Sequence, residues 1–146
     1  MKFMIVGKGN EETEAGPLPD REYVEAMIEY NESLAKAGVL VAAEGLHPSS
    51  KGARIAYRGG RPTVLDGPFT ESKELIAGFW IIQVRSREEA VEWALRMPLP
   101  PDHPDGVGLE VWQVFDASEM PEETLPPETA ARQQAVRESL ERGTGA

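Results

Sequence analysis

The segment DGPFTESKELIAGFWIIQV, Asp66 to Val84, crowds Asp66, Glu71, Lys73 and Glu74 around a glycine–proline corner, directly before a strongly apolar run. Ionisable groups held on a constrained turn suit proton transfer or the anchoring of a polar ligand. Pro68 fixes its own φ and drives Gly67 toward extended backbone, and the Asp66 carboxylate can accept N–H groups further round the corner. Phe69 is then free to fold back on the core. Asp66 is the expected acid, base or anchor, with Glu71, Lys73 and Phe69 beside a ligand. Thr70 or Ser72 opens a helical turn whose free N–H groups would favour an anion. A corner that merely ends a strand would use the same Asp-Gly-Pro-Phe, so a structural reading stands next to the chemical one.

Histidine is the usual proton carrier near neutral pH, and the chain holds two. His47 follows a strand-like run in AEGLHPSS, close to Glu44. If that strand neighbours the one reaching Asp66, a catalytic Asp66–His47 pair forms, with Glu44 beside the ligand; otherwise His47 is a strand-end surface residue. His103 sits between Asp102 and Asp105 in PPDHPDG, a set of donors a metal would accept. The simpler reading is an exposed loop of turn-forming aspartates, so neither metal nor cofactor is expected. No GxGxxG, GK[ST], GxSxG or HExxH is present, and GKGNEE lacks the spacing of a phosphate loop.

These residues sit in a chain of 146 residues, enough for one domain with a real core. Its net charge of −10 disfavours nucleic acid and anionic lipid as partners. There is no run of the roughly 20 apolar residues a membrane helix needs, and MKFMIVGKGN is too short in its apolar part for a secretory signal. With no cysteine, disulfides and thiolate chemistry are excluded, and a cytoplasmic location is expected. The charge is uneven. KGARIAYRGGR carries Lys51, Arg54, Arg58 and Arg61 without an acid, either a solvated hairpin edge that resists strand pairing or a lip for an anionic partner.

The elements that must position these groups alternate in type. KFMIV reads as a strand closed by Gly7, and the stretch from Gly7 to Pro19 reads as a loop. Tyr23, Met27, Tyr30 and Leu34 recur at helical spacing, with Asp20 as N-cap, a Glu32–Lys36 pair and Gly38 as the stop. VLVAAEGL is the second strand. ARIAYR and PTVLD form a hairpin about Gly59-Gly60. GFWIIQV sends Phe79 and Ile81 to one face and Trp80, Ile82 and Val84 to the other. Ser86 and Glu89 make a capping box for a helix whose buried stripe is Ala90, Val91, Ala94 and Leu95, ended by Pro98. LEVWQVF is the last strand, with Val111 and Trp112 on opposite faces.

Setting the hairpin aside leaves βαββαβ, the ferredoxin-like α+β arrangement of two split βαβ units. Both helices then cover one sheet face. The other face is also apolar, and a homodimer with the sheets face to face would hide it. Residues 1–115 are expected to form this domain. Residues 116–146 form an extension with a weak helix near Glu128 to Arg142, expected to pack on a neighbouring subunit.

DGPFTESKELIAGFW, with AGVLVAAEGL, EEAVEWALRMP and LEVWQVF, resembles the DGPF branch of the YCII-related family, over about Met1 to Phe115. The resemblance implies a ferredoxin-like fold assembled as a dimeric α+β barrel. The broader family carries a histidine near the start of its first helix and an aspartate that suggest an enzyme; the matching stretch here, DREYVEAM, has no histidine. Some DGPF domains are joined to sigma-factor-like regions, which implies a regulatory role. The expected function is a homodimeric small-molecule-binding domain with possible acid/base activity beside the DGPF corner, between it and the helix-free sheet face. The alternative is a non-catalytic regulatory module that contacts a protein through its acidic faces and tail. A cofactor-free oxygenase follows from fold analogy alone.

Overall fold

The computed structural model describes residues 1–16, 18–100 and 103–144. The chain divides into two compact units, Met1–Val114 and Phe115–Ala146. The first contains strands β1 (Lys2–Lys8), β2 (Leu40–Gly45), β3 (Ala53–Arg58), β4 (Arg61–Asp66), β5 (Ile76–Gln83) and β6 (Leu109–Gln113), with helices α1 (Glu11–Ala15), α2 (Arg21–Lys36) and α3 (Arg87–Leu95). Four strands make an antiparallel sheet in the order β2-β5-β1-β6, and β3 and β4 pair separately. That order is the one two interleaved split βαβ units produce, so the unit is α+β and ferredoxin-like.

The core lies between the sheet and helices α2 and α3. Phe3, Ile5, Trp80 and Ile82 point from the sheet, and Tyr30, Leu34, Ala90 and Ala94 meet them from the helices. Direct pairing of Ile5 with Trp80 and of Phe3 with Ile82 puts all four strand residues on one face. The alternate residues Met4, Phe79, Ile81 and Trp112 share the opposite face. Asp20 caps α2 by accepting the Tyr23 N–H at 2.8 Å. The ion pair of α2 forms at its first turn, Arg21–Glu25 at 2.8 Å, where Glu32–Lys36 was expected.

Three elements differ from the sequence expectation. β1 does not stop at Gly7: Gly7 pairs with Gly78 and Leu109, and Lys8 pairs with Ile76 past a bulge. The supposed loop contains α1, closed by a reciprocal Asn10–Thr13 capping box and ended by Gly16 at φ 78°. On α3, Leu95 is exposed while Trp93 packs against the core, and Met97, two residues past the helix end, is buried. Positions 90, 94 and 97 follow the helical period, and Leu95 lies about 100° past Ala94. The expected Ser86–Glu89 capping box is only half formed: Ser86 accepts the Glu89 N–H, but the Glu89 carboxylate takes the N–H of Arg85, at 2.9 Å, in place of the Ser86 N–H.

The hairpin turns on Gly59 and Gly60, at φ 56° and 77°, as a tight two-residue turn demands. Its amphipathicity is inverted. Arg54 and Ala56 are half-buried, while Ile55, Tyr57 and Val64 are exposed. In the second unit, α4 (Pro127–Thr144) is preceded by a short 3-10 turn at Ala117–Glu119 that Asp116 caps. Val136 and Leu140, one turn apart on α4, are both exposed.

Candidate functional site

A row of glycines crosses the sheet. Gly45 of β2 pairs with Gly78 of β5, which pairs with Gly7 of β1, and Gly7 pairs with Leu109 of β6. The pleat puts this row on the same face as Trp80, toward the helices. Glycine weakens a strand interior and marks close approach of a ligand or another backbone. Here part of the row has a packing cause and part does not. A Cβ on Gly78 would stand 2.9 Å from the Glu44 carbonyl oxygen, so that position must be bare. A Cβ on Gly45 would meet nothing within 4 Å, and one on Gly7 would make ordinary contacts at 3.6 Å.

Above the row lies a cavity of about 670 Å³. α2 contributes Tyr23, Met27 and Asn31, and the chain after α3 contributes Met97, Leu99 and His103. The β2 exit supplies Leu46, His47 and Pro48, and α1 supplies Glu12 and Thr13. The volume falls within the few hundred to a thousand Å³ typical of small-molecule sites, with a largely apolar wall and a few polar groups. Its back is rigid. The indole N–H of Trp80 donates to Asn31 Oδ1 at 2.8 Å, and Tyr30 packs edge-on against Trp80 with ring centroids 6.5 Å apart. Tyr30 donates its hydroxyl to the Trp93 carbonyl at 2.7 Å, and burial pushes its pKa up to about 12. Burial also raises the pKa of Tyr23.

Lys8 and Glu44 line this cavity, but the pleat turns the Glu44 side chain away from its floor and an ion pair draws Lys8 the same way. Glu44 pairs with Phe79, on the opposite face. The Lys8 ammonium reaches Glu110 at 3.4 Å, and Glu110 pairs with Val6 on that same opposite face. His103 lies against Gly108, where a Cβ would stand 3.1 Å from its ring, and its Nδ1 is 2.9 Å from the Pro104 carbonyl oxygen. Asp102, weighed with it as a metal ligand, lies outside the described residues. Among the described residues no three histidine or acidic side chains gather as a metal site.

A second cavity of about 380 Å³ shares the Leu46–Pro48 wall and borders the DGPF corner. Phe69, Glu74, Arg54 and Glu14 line it. The corner is tied down by a relay. Ser49 donates its N–H and its hydroxyl to the two oxygens of Glu14, while its own Oγ accepts the Phe69 N–H at 2.9 Å. Those donors hold the Glu14 carboxyl below the usual carboxylate range, the hydroxyl bond contributing most. The Arg54 guanidinium lies 3.8 Å from the centre of the Phe69 ring and pairs with Glu74 at 2.8 Å. Gly67 donates to the Gly52 carbonyl at 3.0 Å.

Of the residues singled out in the sequence, His47 lines both cavities, Glu44 the larger and Phe69 the smaller. Asp66, Glu71 and Lys73 are exposed and line neither. Asp66 ends β4 opposite Ala53, and Glu71 precedes a three-residue 3-10 turn, Ser72–Glu74, too short to build an anion site. The larger cavity opens on the helix-bearing face, whereas the sequence placed a pocket on the helix-free one. Sequence reasoning passed over Tyr23, Asn31 and Trp80 as site residues. The available signal was glycine inside three apolar strands.

A ferredoxin-like α+β unit with a glycine-floored cavity between sheet and helices is the class the structure defines. The chain belongs to the YCII-related domain family, which matches residues 1–116. It is 37% identical over 59 residues to "Uncharacterized protein R00369" of Rhizobium meliloti (strain 1021), covering 40% of this chain and 48% of that protein. The match therefore spans about half the length of that relative. Among the described residues no helix is long and apolar enough to cross a membrane.

Proposed function

We propose that this protein is a cytoplasmic, homodimeric small-molecule-binding domain of the DGPF branch, with its ligand site in the larger cavity. The observation that carries the reading is Gly45. Nothing in the packing requires a glycine there, and the missing side chain leaves open volume in a strand that would otherwise favour a larger residue. His47 is the ionisable group best placed to move a proton at the mouth. Asp66 and Glu71 stand outside the cavity, and the DGPF corner serves chiefly to hold Phe69 beside His47.

Gly45→Leu is the test. An NMR screen of small organic fragments should give hits whose shifts centre on Gly7, Gly45 and Gly78, and these hits should vanish in the variant while its overall spectrum is retained. Hits that map elsewhere, or that survive the substitution, would sink the reading.

The dimer is supported by Met4, Phe79, Ile81 and Trp112 on the sheet face opposite the core helices, with Trp112 exposed. Two such faces together would close an α+β barrel. Sedimentation should show a dimer that Trp112→Glu weakens. A second reading, a regulatory module without catalysis, is favoured by the outward Ile55, Tyr57 and Val64 of the hairpin. A partner lost from pull-downs by Ile55→Asp, with no fragment binding at all, would support it instead.

A further inference from the structure

The charge and shape of the larger cavity narrow its ligand, provided the small-molecule reading holds. Among the described residues that line it, Lys8 is the sole lysine or arginine. Its ammonium is paired with Glu110, and its side chain is only 14% exposed. Glu110 pairs with Val6 on the sheet face opposite the glycine floor, so the ion pair draws the ammonium away from that floor. The other anion-attracting feature is the N-terminus of α2. Its positive end is already answered by the Asp20 carboxylate, which accepts the Tyr23 N–H at 2.8 Å. α1 is too short to offer a second one. A phosphate or carboxylate buried here would therefore lose its hydration without gaining a counter-charge. Glu12 and Asp20 at the rim, in a chain of net charge −10, bias the local field toward cations.

Shape follows from the floor. Gly45, Gly78 and Gly7 stand side by side on three adjacent strands, so the sheet presents bare peptide planes across that width. Trp80, whose ring edge would meet a Cβ on Gly7 at 3.6 Å, limits one end. Met27 and Met97 line the walls, and thioethers adapt to the faces and edges of aromatic rings. His47, His103 and Tyr23 supply hydrogen-bonding groups at the periphery. We infer that the cavity takes a planar aromatic molecule that is uncharged or cationic, its ring laid on the glycine floor, and that it rejects aromatic acids and phosphorylated compounds.

The test uses the full chain and four probes: naphthylmethylamine, naphthylmethanol, naphthylacetate and adamantylamine. They vary charge on one flat ring, then shape at one charge. Binding is followed by amide shifts at Gly7, Gly45 and Gly78. The amine and the alcohol should bind at least roughly tenfold more tightly than the acetate, and naphthylmethylamine more tightly than adamantylamine, each tenfold being about 1.4 kcal/mol. Gly45→Leu should abolish these shifts, and Gly7→Ala, a smaller intrusion with ordinary contacts, should weaken them. Binding of the acetate as tightly as the amine, of adamantylamine as tightly as naphthylmethylamine, or of no probe at millimolar concentration, overturns the inference. If the acetate wins yet is lost in Gly45→Leu, the ligand class fails and the cavity reading survives. If every probe binds unaffected by Gly45→Leu, the cavity reading itself falls.

Discussion

Gly67 lies against the backbone of Ser49 so closely that a Cβ on Gly67 would stand 1.7 Å from the Ser49 carbonyl oxygen. The neighbour is main chain, not a flexible side-chain tip, so one of two connected segments would have to move. Gly67→Ala should therefore destabilise the first unit by at least ~2 kcal/mol. Asp66, two atoms of backbone away in the same motif, is exposed and no hydrogen bond or ion pair among the described residues engages its carboxylate. Asp66→Asn should change stability by less than about 0.5 kcal/mol. Urea unfolding of the two variants gives the comparison, and equal losses would show that the corner depends on the carboxylate after all.

The Glu14–Ser49–Phe69 relay makes the corner sensitive to acid. Hydrogen bonds from Ser49 favour the charged form of Glu14 and lower its pKa below the ordinary 4.5. A depressed carboxyl pKa stabilises the fold above the unfolded value, and that contribution fades as pH falls through the folded one. The protection of the Ser49 and Phe69 amides, measured against the intrinsic exchange rate at each pH, should fall below about pH 4.5. Ser49→Ala should raise exchange at Phe69 already at neutral pH and flatten its acid dependence. A Phe69 amide equally protected in both proteins would remove the relay from the account.

How far the sequence reached depended on whether position along one element decided the outcome. The α2 stripe, the Gly59-Gly60 hairpin and the alternation of Trp80 and Ile82 against Phe79 and Ile81 follow from local period and turn chemistry, and all are present. The glycine floor is a lateral property. It exists because Gly7, Gly45 and Gly78 come into register across three strands, and no window along the chain shows that. Ending β1 at Gly7 hid the first member of the row. The placement of Asp66 outside both cavities has a similar origin, since β3 and β4 pair with each other and not with the main sheet.

The corrected stripe of α3 can be checked directly. Met97 is 7% exposed and belongs to the core, while Leu95 is 80% exposed. Met97→Ala should cost about 2–5 kcal/mol by deleting a buried side chain. Leu95→Gln should be within about 0.5 kcal/mol of neutral. Chemical denaturation with an unchanged m-value for both would complete the test, whereas a large loss for Leu95→Gln would mean that its side chain is covered in solution.

Tyr30 predicts the behaviour at the other end of the pH scale. Its hydroxyl is buried and donates to the Trp93 carbonyl, and its pKa is pushed up to about 12, against 10.0 for a free tyrosine. An acid whose folded pKa is raised stabilises the fold fully below the unfolded value and loses that contribution as pH climbs from about 10 toward 12. Ionisation would also remove the proton that satisfies the Trp93 carbonyl, next to the Trp80 ring at the back of the cavity. Wild-type protein should therefore lose stability across that window more steeply than Tyr30→Phe, which has no proton to release but is less stable at neutral pH by about 1 kcal/mol for the missing hydrogen bond. Alkaline melting curves that stay parallel for the two proteins would show that Tyr30 ionises as an exposed phenol does, and that the wall behind Trp80 is open to water.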